Sequence, residues 1–140
     1  MKKETSSNTT LSRNQMHEKL MVCTYQYLFY LSLNEKQELS DIVESVFEMP
    51  ISECDPFVKK CLYQVITKLP EAVISIQPLL NEWSFDRLGF IEQAILVLGY
   101  IEKKYMEMPK PVVINIAIKL AHKFAKEDSH KFINAVLEKI

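Results

Sequence analysis

Residues 88–101 read LGFIEQAILVLGYI, a stretch apolar on almost every face of a helix apart from Glu92 and Gln93. Such a helix belongs in the middle of a core. With about 14 residues and a carboxylate inside it, the stretch is too short to cross a bilayer, which takes about 20 apolar residues. Ser84, just ahead of it, predicts a capped helix from Phe85 to about Tyr105.

Helical periodicity continues on both sides of this element. Downstream, Pro109 and Pro111 break the chain and open a helix whose stripe is Val113, Ala117, Leu120 and Phe124. Asp128 then caps a last helix with Phe132, Ile133, Val136, Leu137 and Ile140 inward. Upstream, a helix is expected over Glu71–Leu80, despite Pro78, and another opened by Asp55-Pro56 and ended near Leu69 by Pro70. Asn34 and Gln37 form a capping-box pattern ahead of a short helix that stops before Pro50. From Arg13 to about Leu33, Met16, Leu20, Cys23, Tyr27 and Leu31 line one helical face. Residues 1–12 are polar and rich in Ser and Thr, which predicts a flexible tail. The expectation is an all-α fold of about seven helices, forming one domain over 13–140.

Composition narrows the function classes. The 140 residues are 48% hydrophobic and 25% charged, as in an ordinary globular domain. Only 2 glycines occur, which excludes Gly-rich nucleotide loops. The formal charge is -1, but unevenly spread: residues 1–20 carry +2, residues 21–101 carry -6 and residues 102–140 carry +3. All three histidines also lie in the two end segments, so chain ends that meet in space would make a basic face suited to an anion or a nucleic acid. Cys23, Cys54 and Cys61 are odd in number, sit among apolar neighbours and match no zinc spacing, which fits a reducing cytoplasm and no metal. No catalytic constellation stands out. Glu92 and Glu102 are about 15 Å apart along one helix, too far for a carboxylate pair. His122, His130, Glu127 and Asp128 gather at a helix-to-helix turn that capping explains.

The residues from Trp83 onward resemble a known family: WSFDRL at 83–88, IEQAIL at 91–96, PVVIN at 111–115 and above all EDSHKFINAVLEKI at 127–140. This pattern resembles the NusB family of transcription antitermination factors, loosely but collinearly also over 13–82. The resemblance implies two three-helix bundles with an extra helix, and an RNA-binding adaptor rather than an enzyme, with no cofactor. It implies as partners NusE (ribosomal small-subunit protein S-ten), boxA-type single-stranded RNA and the elongating RNA polymerase with other Nus factors, in support of ribosomal RNA synthesis. A monomer or weak homodimer without membrane contact is expected.

Carried over residue by residue, the resemblance assigns Arg13, His17, Phe124, Asp128, Ser129, Lys131 and Phe132 to RNA, and Tyr25, Asp86 and Glu92 to NusE. Phe132 suits base stacking beside Lys131, although core packing explains it equally well. Glu92 would be an exposed carboxylate on an otherwise apolar helix, or one solvated position of a core helix. The family's arginine-rich opening of the form RRxAR aligns with Arg13-Asn14-Gln15-Met16-His17, so only one guanidinium remains and weak intrinsic RNA affinity is expected. An alternative keeps the protein contact and drops specific RNA binding. A third reading, prompted by the occurrence of such domains fused to ribosomal RNA methyltransferases, finds no Gly-rich cofactor loop here.

Overall fold

The computed structural model describes residues 11–140. Among them are six α-helices: α1 (Arg13–Ser32), α2 (Leu39–Phe47), α3 (Pro56–Ile76), α4 (Phe90–Tyr105), α5 (Lys110–Phe124) and α6 (Ser129–Leu137). Short 3-10 turns at Ile51–Glu53, Gln77–Leu80 and Phe85–Arg87 join them. The first three helices form one bundle and the last three a second. The central element is α4, packed against α1 and α3 on one side and α5 and α6 on the other. Every residue from Glu92 to Glu102 is buried, as the apolar run requires. No helix of the described residues is long and apolar enough to cross a membrane.

The helix count differs from seven because α3 runs through Pro70. Its buried stripe, Val58, Cys61, Leu62, Val65, Ala72 and Ile76, keeps one helical register on both sides of the proline. The ring itself is exposed, and tertiary burial of the stripe outweighs a cost of about 3 kcal/mol.

Several boundaries also move. Asn34 does not cap α2; it takes a left-handed conformation (φ 60°) just past the end of α1. The capping box lies instead at the start of α1, where Ser12 Oγ accepts from the Gln15 backbone N–H at 3.1 Å and the Gln15 side-chain Oε1 accepts from the Ser12 backbone N–H at 2.8 Å. With Leu11 packed on the core, the expected tail loses its last two residues; the rest lies outside the described residues. Ser84 does not cap a continuous helix: its hydroxyl donates to Asp86, and α4 begins only at Phe90 with Gly89 at the N-cap. Asp55 caps α3 as expected, its carboxylate accepting from the Phe57 N–H at 2.8 Å. Asp128 occupies the N-cap of α6 without a side-chain bond to the helix.

Two glycines permit close approaches. A β-carbon on Gly89 would lie 2.5 Å from Glu92 Oε1, so glycine lets that carboxylate fold back over the start of α4. A β-carbon on Gly99 would lie 3.1 Å from a Leu137 methyl, so glycine lets the end of α6 approach the second half of α4. With Ser129 beside Glu92 at their beginnings, the two helices run parallel.

Candidate nucleic-acid interface

Because α4 and α6 are parallel, their N-termini open onto the same place: a groove of about 480 Å³ between the loop before α4 and the turn before α6. Both helix starts turn unpaired backbone N–H groups and partial positive charge toward it, which favours anions. Trp83, 58% exposed, and Phe132 supply aromatic walls. Arg87 and Lys126 supply cations, and Glu127, Asp128 and Ser129 form the turn. Aromatic faces next to positive charge and backbone donors can hold an unstacked base and the phosphate attached to it.

Glu92 is 8% exposed and seals the inner end of this groove. Its Oε2 accepts from the Ser129 hydroxyl at 2.5 Å, tying the two helix starts together. The expected exposed carboxylate for a protein partner is thus corrected to a buried strut.

His17 is also corrected. It is 1% exposed, in the seam between α1 and α4, and reaches no outer surface. Its Nδ1 donates to the Arg13 carbonyl at 2.9 Å, which turns Nε2 onto Glu102 Oε2 at 2.7 Å. The edge of the ring meets Phe57, centroids 5.4 Å apart. One turn earlier the Arg13 guanidinium lies over the same Phe57 ring, 4.1 Å from its centroid.

The other RNA candidates divide. Asp128, Ser129 and Phe132 line the groove, and Phe132 also packs against the core, so stacking and packing hold together. Lys131, at the third position of α6, is exposed. Phe124, at the end of α5, is 36% exposed with Lys123 Nζ 5.6 Å above its ring. Lys123 also contacts both carboxylate oxygens of Glu18 at 2.9 Å, which brings this end of α5 beside α1. Next to the groove the rings of His122 and His130 stack at 4.3 Å.

Of the residues assigned to a protein partner, Tyr25 lies in an aromatic cluster. Its ring is 6.5 Å from both Phe29 and Phe90, and Phe29 is 5.6 Å from Phe90. Phe29 is 38% exposed, and Asp86 stands exposed four residues before Phe90. Tyr25 thus belongs to an aromatic cluster and Asp86 is exposed in the 3-10 turn before α4, while Glu92 lines the groove. Trp83, Arg87 and Lys126 also line the groove, and the sequence analysis does not single them out as site candidates. The usable signal was an aromatic beside an arginine in a segment too polar to be a core strip, four residues apart at 83 and 87.

The three cysteines are free and buried. Burial, with a smaller contribution from Cys54, pushes the Cys23 thiol up to about 12, and burial raises Cys54 and Cys61 as well. These are small hydrophobic side chains rather than nucleophiles.

A helical scaffold that brings two parallel helix starts, exposed rings and cations to one groove is the framework of a nucleic-acid adaptor. The sequence model of the NusB family matches residues 25–140, and the chain belongs to that family. The transcription antitermination protein NusB of Macrococcus caseolyticus is 38% identical over 117 residues, 82% of this chain and 88% of that one. The NusB of Oceanobacillus iheyensis is 35% identical over 131 residues, 93% of this chain and 98% of that one. Among solved structures, T. maritima NusB superposes with a TM-score of 0.79 at 22% identity, covering 93% of this chain and 90% of that one. A complex of the antitermination factors NusB and NusE with double-stranded RNA superposes with a TM-score of 0.72 at 22% identity, covering 91% and 93%. The fold is theirs.

Proposed function

We propose that this chain is a non-catalytic transcription antitermination adaptor that holds boxA-type single-stranded RNA together with NusE, the ribosomal small-subunit protein S-ten, and presents both to elongating RNA polymerase. The observation that carries the RNA half is the groove at the N-termini of α4 and α6, where Trp83 and Phe132 flank Arg87 and Lys126. Single strands expose base faces, and an aromatic wall is worth about 1–3 kcal/mol per stacked base. A duplex hides those faces, so two ring-bearing walls favour the single strand. Within this reading Arg13, Phe124, Asp128, Ser129, Lys131 and Phe132 contact RNA, joined by Trp83, Arg87 and Lys126, whereas His17 and Glu92 support the scaffold. The protein half rests on the aromatic cluster of Tyr25, Phe29 and Phe90 and on the exposed Asp86 four residues before Phe90, apolar surface and a carboxylate that suit a basic ribosomal protein.

The test is fluorescence anisotropy of a labelled boxA-type strand with the protein alone and with equimolar NusE, at two salt concentrations. Weak binding alone and tight, salt-sensitive, sequence-selective binding with NusE is the expected result. NusE binding with no gain in RNA affinity would reduce the role to protein interaction, and duplex RNA binding as tightly as the single strand would overturn the stacking argument.

A further inference from the structure

The apolar stripe of α1 outlasts the bundle it packs in. Met16, Leu20 and Cys23 are buried along it, but the next positions at the same spacing come into the open: Tyr27 is half-buried and Leu31 is 47% exposed. Just beyond, the left-handed Asn34 (φ 60°) turns the chain back, with the Glu35 N–H donating to the Tyr30 carbonyl at 3.1 Å. The returning segment closes a groove of about 310 Å³ with Tyr27, Tyr30 and Leu31 on one side and Glu35 and Glu38 on the other, Lys36 also in its lining. Carboxylates continue from the groove along α2. Glu38 at its N-cap, Asp41, Glu44 and Glu48 at its C-cap are spaced by three, three and four residues, and all four are exposed, so they form one acidic edge about 15 Å long. Like charges at these spacings repel, and Glu48 adds a negative charge at the helix end that is already partially negative. Among the described residues no lysine or arginine pairs with any of the four.

We infer that this groove and edge dock a basic, amphipathic helix of a partner protein. One side chain the size of leucine or phenylalanine fills the groove against Tyr27 and Leu31, and lysines or arginines at three- and four-residue spacing run beside Glu38, Asp41, Glu44 and Glu48. The apolar wall supplies the anchor, and the charge of the edge decides the occupant. RNA is excluded, since its phosphates would meet the carboxylates, and the same edge of a second copy of this chain is excluded likewise. A cationic helix relieves the repulsion along α2 and covers the end of the α1 stripe at once. The groove lies on a different side of α1 from the aromatic cluster around Tyr25, because Leu31, six residues further on, is about 120° around the helix from it. The two surfaces therefore take different partners. A small contact steered by charge gives fast, weak and salt-sensitive association, with a Kd on the order of 10–100 µM.

Fluorescence anisotropy of a labelled lysine–leucine helical peptide of about 14 residues, titrated with the full chain up to about 1 mM, tests this. Saturable binding is expected, weakened at least tenfold by Leu31→Asp and by the pair Glu38→Lys and Asp41→Lys. All three positions are exposed, and unchanged helical circular dichroism confirms that the variants fold. A peptide of equal charge with serine in place of leucine should bind at least tenfold more weakly. In the amide NMR spectrum the leucine peptide should shift residues 27–48 and leave 126–132 in place, and a boxA-type strand should not displace it. No binding at the highest concentration overturns the inference. So does equal affinity for the serine peptide, which leaves charge alone, or variants that bind as the parent does. Displacement by the RNA strand overturns it too, as do shifts across 27–48 that follow the concentration of the protein by itself, which would give the groove to a second copy.

Discussion

Replacing His17 by alanine removes one partner of a pair closed off from water at 2.7 Å and leaves the Glu102 carboxylate alone, 1% exposed, between the two bundles. Breaking a buried pair in this way costs about 3–5 kcal/mol, most of it the stranded charge rather than the missing attraction. The edge contact with Phe57 adds about 0.5–1.5 kcal/mol. A loss of about 3.5–6.5 kcal/mol is a large share of the roughly 5–15 kcal/mol that a domain of this size holds, and at about 3–4 °C per kcal/mol it lowers Tm by about 10–26 °C. Urea unfolding followed by circular dichroism measures it. Replacing both His17 and Glu102 by leucine removes the charge along with its partner and should cost far less than the sum of the single alanine variants. At a temperature where the alanine variant is still folded, its RNA affinity should stay within about twofold of the parent, a change of about 0.4 kcal/mol, since the ring reaches no surface. A destabilisation below about 1 kcal/mol, or additive single variants, would show that water reaches the pair and would refute the account of the seam.

Three further outcomes are expected. Lys131→Glu should lower affinity for single-stranded RNA and flatten the log–log salt slope by about 0.7, the share of one phosphate that is no longer neutralised, with an unchanged urea midpoint; an unaltered slope removes Lys131 from the interface. Glu71 accepts hydrogen bonds from the Tyr105 and Tyr100 hydroxyls and lies 3.5 Å from Lys104 Nζ, which together hold its carboxyl below the ordinary 4.5. A lowered native value contributes stability above the unfolded-state value that is lost as pH falls through the native one, so urea unfolding across pH should find Glu71→Gln less stable than the parent at neutral pH and converging with it on the acid side, where its profile is flatter. Buried thiols with raised pKa values should react with a disulfide reagent only on unfolding, Cys23 and Cys61 slowest; rapid native labelling of Cys23 at neutral pH would contradict its burial.

Much of the fold can be read from periodicity because burial here follows helix geometry. The run 88–101 identifies the central helix, and Asp55-Pro56 marks a true start. The errors arise where a local signal loses to tertiary context. Pro70 reads as a stop, yet its ring points to solvent in a helix whose buried stripe never breaks. Asn34 has the side chain of a cap, and the same short polar side chain tolerates the left-handed conformation that ends α1. The site was legible at the EDSHKF run, which forms the turn and start of α6. His17 and Glu92 were misplaced because sequence gives the face of a helix but not what packs there, and a charged residue reads as exposed until a partner such as Glu102 or Ser129 is seen. Trp83 was missed because its neighbour in the groove, Phe132, lies almost fifty residues away in the chain.

At Gly99, α4 has no side chain, and Leu137 rests against its backbone. The nine residues of α6 behave as a stiff rod about 13 Å long, with that contact near one end and Ser129 and Lys131 at the other. A single methyl group added at Gly99 would therefore act as a wedge under the rod, tilting its far end and resetting the width of a groove that the altered residue never touches. The gauge of the candidate groove is set at the far contact of the helix pair.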